Sequence, residues 1–182
     1  MTRRELLGTA VRVLILVAGA GAVLSNGPAL AIGPDQEQAE LAEALSAAKV
    51  SLQDGLAASE TEGQPISGKF EVEDGKLQLS VYTAKDGKFF EVIVDHVTGK
   101  IAKVEPISEG DDLSHAKSQK AAIDRAKVKL SDAAVKSTGQ AKGPAEHARI
   151  VSIVPELKND RPEATIVLLA GKQFSTVSEH LD

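Results

Sequence analysis

The sequence predicts an α+β fold in which one helix is followed by a three- to four-stranded antiparallel sheet, and this order occurs twice as a tandem repeat. Three observations predict it. Asp74-Gly75 and Asp86-Gly87 each divide runs rich in β-branched and aromatic residues, an amphipathic stretch over residues 35–62 precedes them, and a second helical stretch with strand-like runs behind it begins near residue 113. Asp-Gly tolerates the positive φ values that tight hairpins demand, so both pairs are chain reversals.

The residues 70–104, FEVEDGKLQLSVYTAKDGKFFEVIVDHVTGKIAKV, organise the first unit. Leu77, Leu79 and Val81 alternate with Gln78, Ser80 and Tyr82, giving one apolar and one mostly polar face. In the next run Phe90, Val92 and Val94 share a face, while Phe89 and Ile93 lie on the other beside Glu91 and Asp95. A run that is apolar on both faces belongs inside the sheet, with cover on its second face. His96 to Lys100 turns the chain, and Ile101 to Pro106 closes the unit. So small a sheet needs helices over its apolar face.

This stretch resembles a PepSY domain, a helix followed by an antiparallel sheet found in bacterial envelope proteins. The specific part is Glu91-Val92-Ile93-Val94-Asp95-x-x-Thr98-Gly99-Lys100-Ile101, similar to the family's closing strand and turn, and the resemblance covers residues 38–106. It implies an extracytoplasmic binding or regulatory module, one that restrains a peptidase in several proposed contexts. It implies no catalytic residues, because the family has no common catalytic set.

Taken in order, residues 1–31 read as a signal peptide. Arg3, Arg4 and Arg12 make a basic start, Val13 to Leu24 is a short apolar core, and Ala29-Leu30-Ala31 is a cleavage signature that places the cut after Ala31. The core falls short of the roughly 20 residues a bilayer span needs. Thr2-Arg3-Arg4-Glu5-Leu6-Leu7 also resembles a twin-arginine export signal, and the twin-arginine and general secretory routes both stay open. The expected location is therefore periplasmic or secreted, with no stable membrane insertion after cleavage and, for want of a cysteine, no lipid anchor.

The whole chain carries 21 basic and 26 acidic residues. Without Arg3, Arg4, Arg12 and Glu5, 18 basic residues stand against 25 acidic ones, a net charge of −7. That balance argues against nucleic acid or an anionic membrane surface as partner. Cysteine and tryptophan are absent, so packing alone must stabilise an exported chain and a stacking platform for sugars or bases is not expected.

The helix over 35–62 is predicted from Leu41, Leu45, Ala48, Leu52 and Leu56, which recur at three- and four-residue intervals, with Asp35 and Gln38 as a capping pair and Gly63 and Pro65 as its stop. A second helix is predicted over 113–138, capped by Asp111 or Asp112, with Ala116, Ile123, Ala126, Leu130 and Ala133 as its stripe, a lysine-rich outer surface and Gly139 as its stop. After Gly143-Pro144, three runs follow: Ala148 to Pro155, Ala164 to Ala170 and Gln173 to Ser178. The element order thus recurs about 75 residues on. The expected organisation is a signal peptide (1–31), a PepSY-like unit (32–106) and a second, divergent α+β unit (107–182).

Enzyme chemistry is not expected. No GxSxG elbow, phosphate loop, HExxH or EF-hand loop occurs. Glu71 and Glu73 lie two apart on a strand and, beside Lys69 and Lys88, read as an ion-paired edge rather than a catalytic dyad. Glu109, Asp111, Asp112 and His115 cluster at a helix start; acidic residues belong there because of the helix dipole, and the alternative is a divalent-cation or small-ligand sensor. No metal or cofactor is assigned. Binding remains, with an envelope protein or peptide as the expected partner. The candidate surface is the face carrying Tyr82, Phe89 and Ile93, rimmed by Lys85, Lys88 and Glu91; the alternative is that the other repeat covers these residues. A sheet edge that pairs with an extended peptide is a second route.

Overall fold

The computed structural model describes residues 34–138, 140 and 148–182, so the expected signal peptide, the Gly139 helix stop and the Gly143-Pro144 break lie outside it. The described residues form one compact unit. Its elements are α1 (Pro34–Ala44), a single tight turn (Leu45–Ala47), α2 (Leu52–Ser59), β1 (Gln64–Glu73), β2 (Lys76–Lys85), β3 (Lys88–Val94), β4 (Ile101–Ile107), α3 (Gly110–Arg125), α4 (Leu130–Thr138), β5 (Arg149–Lys158), β6 (Arg161–Ala170) and β7 (Gln173–His180). The strands do not form two small sheets. All seven share one antiparallel sheet in the order β4-β3-β2-β1-β5-β6-β7.

The hairpins form where the sequence places them. Asp74 and Asp86 sit at φ 50° and 51° and are followed by Gly75 and Gly87 at 71° and 74°. At the closing turn, Asp95 Oδ1 accepts the Val97 and Thr98 amides and the Thr98 hydroxyl, and Gly99 at φ 72° brings the chain back into β4. These bonds favour the ionised carboxylate and hold the Asp95 pKa below its usual value.

Both predicted long helices are broken. Residues 35–62 give α1 and α2 with a gap at Ala48–Ser51, and residues 113–138 give α3 and α4 with a gap at Ala126–Lys129. At the first gap the amides of Lys49 and Val50 bond to His96 O (2.8 and 3.2 Å); at the second, those of Lys127 and Val128 bond to Leu181 O (2.6 and 3.0 Å). The carbonyls at the ends of β3 and β7 thus take the amides that a continuous helix would use internally. Ser51 then restarts the helix through a capping box with Asp54. The stripe residues still point inward: Leu45, Ala48, Leu52, Leu56, Ala116, Ile123, Leu130 and Ala133 are buried. Asp111 and Asp112 lie in the first turn of α3 rather than at its cap, which is Glu109.

The two gaps share a sequence, Ala48-Lys49-Val50-x-Leu52-x-Asp54 and Ala126-Lys127-Val128-x-Leu130-x-Asp132. The strands correspond in the same way: β1 bulges at Ile66 between Pro65 and Ser67, and β5 at Val151 between Ile150 and Ser152. Gln64 opening β1 therefore matches Arg149 opening β5.

At the centre β1 meets β5 through Gly68↔Ile153 and Lys69↔Ser152. β1 is an inner strand of the sheet, but only Gly68 and Lys69 pair with β5; Glu71 and Glu73 lie beyond those pairs, and Glu71 is ion-paired with Lys69. On the apolar face Gly68 lies under α2, where a Cβ would stand 3.3 Å from Leu56 and 3.4 Å from Leu52. The missing side chain lets α2 sit on the seam between β1 and β5. Gly68→Val therefore inserts atoms into a filled site. The expected net loss of stability is about 1–2 kcal/mol, because overpacking costs about 1–3 kcal/mol and the gain in strand propensity is at most about 1. Urea unfolding of the two proteins measures it, and an unchanged midpoint contradicts the packing described.

Candidate functional site

The register places the candidate residues on one face. Tyr82 pairs with Glu91, Ala84 with Phe89 and Ser80 with Ile93. Lys69 and Glu71, opposite Ser80 and Gln78, continue the face onto β1, and Glu105, opposite Glu91, continues it onto β4. Its counterpart, with Gly68, Leu79, Val81, Val92 and Val94, is the apolar face under α2.

α3 crosses the polar face. Its N-terminal Asp112 accepts a hydrogen bond from the Tyr82 hydroxyl at 3.0 Å, and Gln119 Oε1 accepts one from Ser67 at 2.8 Å. Tyr82 is consequently only 5% exposed, covered by the second half of the chain. Phe89 and Ile93 are half-buried, with Phe89 packed against the core, and Lys88 is exposed at the start of β3.

Beneath α3 lies a short polar network. Lys69 Nζ pairs with Glu71 Oε2 at 2.6 Å, Ser80 donates to Glu71 Oε1 at 3.1 Å, and Gln78 donates to Ser80 at 2.9 Å. Glu91 is half-buried beside it, and its buried Oε1 has no hydrogen-bond partner. Burial raises the Glu91 pKa, opposed by Ser80 and Lys69 and reinforced by Glu71 and Asp112. Burial first, then the charges of Glu91 and Asp112, pushes the Tyr82 hydroxyl far above its ordinary value, so it stays a donor. The pairing of Tyr82 with Glu91 is legible in the sequence. The donation to Asp112 is not, since thirty residues separate the partners.

The cluster at the start of α3 does not assemble as a cation site. Asp112 is engaged by Tyr82, and among the described residues no three His, Asp or Glu side chains come together in a way that could hold a metal ion.

The sign of the Glu91 effect sets a test. Its raised folded-state pKa means that the folded protein holds this proton more tightly than the unfolded chain, so Glu91 lowers stability as pH rises through and above the usual glutamate range near 4.5. Glu91→Gln is expected to raise stability at pH 7 by on the order of 1 kcal/mol, given about 1–3 for a buried group left unsatisfied. The gain should shrink to nothing below pH 4.5. Urea unfolding of both proteins from pH 4 to 8 measures this, and a variant less stable at pH 7 contradicts it.

No curated protein and no solved structure matches the chain. Residues 14–105 match the family described as peptidase propeptide and YPEB domain, covering both helices of the first half and β1 to β3 entirely, and β4 nearly to its end. The match reaches further towards the N-terminus than the resemblance over 38–106 and stops at the same closing strand. With half of its length matched by that family, and with the Asp95-x-x-Thr98-Gly99 turn built as the closing motif requires, this chain is a member of the PepSY family.

Proposed function

We propose that the protein is an exported, non-enzymatic regulatory module that acts by contact with another protein, and that its partner is a peptidase whose activity it restrains. Family membership supports the regulatory theme. The observation that carries the contact reading is β4. It lies at the end of the sheet with one side unpaired, five of its seven residues are exposed, and Val104 at its centre is 38% exposed. An open strand of this kind can take up an extended segment through its backbone, with Val104 as an apolar anchor. Pro106 offers no amide, and the Lys103–Glu105 pair (2.8 Å) sets charge on the same strand, features that discourage indiscriminate edge pairing. Val104, opposite Val92, lies on the α2 face, while Phe89, Glu91 and Ile93 stand opposite Ile107, Glu105 and Lys103 on the polar face, so a segment paired with β4 meets both faces of the sheet.

Export is supported by the leader-like residues 1–31. Among the described residues no helix is long and apolar enough to cross a membrane. The shared Ala-Lys-Val-x-Leu-x-Asp segments, the matching bulges and the matching helix breaks support reading the chain as a tandem repeat whose second copy has diverged. No observation favours the cation-sensor alternative.

Purified protein added to an envelope extract of its host is expected to lower hydrolysis of a casein substrate in a dose-dependent way. A Val104→Lys variant, shown by circular dichroism to be folded, should lose most of that effect. Unchanged hydrolysis at saturating protein counts against peptidase restraint, and full inhibition by the variant counts against β4.

A further inference from the structure

The correspondence between the two halves exposes one position that differs in kind. In the second half, Arg149 opens β5 and reaches across to the first half, where Nη1 donates to Leu45 O at 2.8 Å and Nη2 to Ala48 O at 3.0 Å. These carbonyls end the turn before the helix break, and Leu45 O also accepts the Ala48 amide at 3.1 Å. The corresponding carbonyls in the second half belong to Ile123 and Ala126, and Ile123 O accepts the Ala126 amide at the same 3.1 Å. Gln64 holds the place of Arg149. Among the described residues no side chain donates to Ile123 O or Ala126 O, and a cleft of about 310 Å³ lies there, lined by Leu56, Glu60, Gln64, Pro65, Ile123 and Ala126.

We propose that this cleft receives an arginine side chain from a partner polypeptide, its guanidinium taking the part that Arg149 plays in the other half. The chain's own arginine shows that such a pair of carbonyls accepts a guanidinium fork. The carbonyl end of α3 carries partial negative charge and favours a cation. Glu60 adds a carboxylate at the rim where the other half has Thr138, and Leu56, Pro65 and Ile123 supply apolar walls for the methylene stem. Lys127 and Lys129 also line the cleft. Lys127 is no obstacle, since its counterpart Lys49 accompanies Arg149 at the corresponding site, where a cleft lined by Ser51, Thr138, Arg149 and Ile150 remains beside the guanidinium; Lys129 replaces Ser51 and is the one added opposing charge. That the arginine belongs to a polypeptide rests on the protein-contact reading above.

The probe is N-acetyl-L-arginine methylamide, titrated into ¹⁵N-labelled protein and followed by amide shifts. Saturable shifts at Glu60, Gln64 and Ile123 to Leu130 are expected. Gln64→Arg, which supplies the chain's own guanidinium, should weaken the probe about tenfold or more, given about 1.5–3 kcal/mol for hydrogen bonds to a charged group. Glu60→Gln should weaken it several-fold while leaving the cleft open. The proposal is overturned by no shifts in this region, by equal probe affinity in wild type and Gln64→Arg, or by equal binding of the N-acetyl-L-glutamate analogue. Failure here removes the cleft but leaves the peptidase assay untouched, whereas failure of that assay leaves probe binding measurable.

Discussion

The antiparallel contact of β1 with β5 is the constraint on which the rest of the structure depends. It consists of two residue pairs, Gly68↔Ile153 and Lys69↔Ser152, and it turns two groups of strands into one sheet. Its narrowness requires help from the helices. On the apolar face α2 and α4 meet each other and lie over strands from both halves, with α2 seated on Gly68. On the polar face α3 spans β6, β5, β1 and β2 and is tied to the first half through Ser67 and Tyr82. Ile153, Ile166, Leu79 and Val81 are fully buried on either side of the seam, so neither half presents a finished core without the other.

What the sequence reveals is what local chemistry decides. Alternation across β2 and β3 tells which residues share a face, and the hairpins follow from Asp74-Gly75 and Asp86-Gly87, whose φ values only a few residue types tolerate. The buried positions of both helical stretches are also legible, because a stripe reports burial whether or not the helix is continuous. The breaks are not, since the Lys49, Val50, Lys127 and Val128 amides are claimed by His96 and Leu181 carbonyls some fifty residues away. The start of β1 is missed for a related reason. Gln64 to Lys69 contains Pro65, a bulge at Ile66 and Gly68, all of which read as irregular until the seam and α2 give them a use.

The candidate site divides along the same line. That Tyr82, Glu91, Phe89 and Ile93 share a face follows from their spacing. That Tyr82 is covered depends on α3, which belongs to the other half and arrives by a crossing that no local pattern encodes. The polar face is therefore two surfaces: a part covered by α3, where Tyr82 is buried, and a half-buried to open part running from Glu91 out to β4. The repeated Ala-Lys-Val-x-Leu-x-Asp segment was a sequence signal within reach. It aligns the helical stretches of the two halves, whereas the exchange of Gln64 for Arg149 emerges only when the bulges at Ile66 and Val151 are matched.

The central claim is that the two halves are one cooperative sheet and not two modules on a string. Differential scanning calorimetry of the intact protein tests it most directly. A single transition whose calorimetric and van't Hoff enthalpies agree is the predicted result. Two resolved transitions, or a calorimetric enthalpy well above the van't Hoff value, would show that the halves unfold separately and that the β1–β5 seam does not bind them.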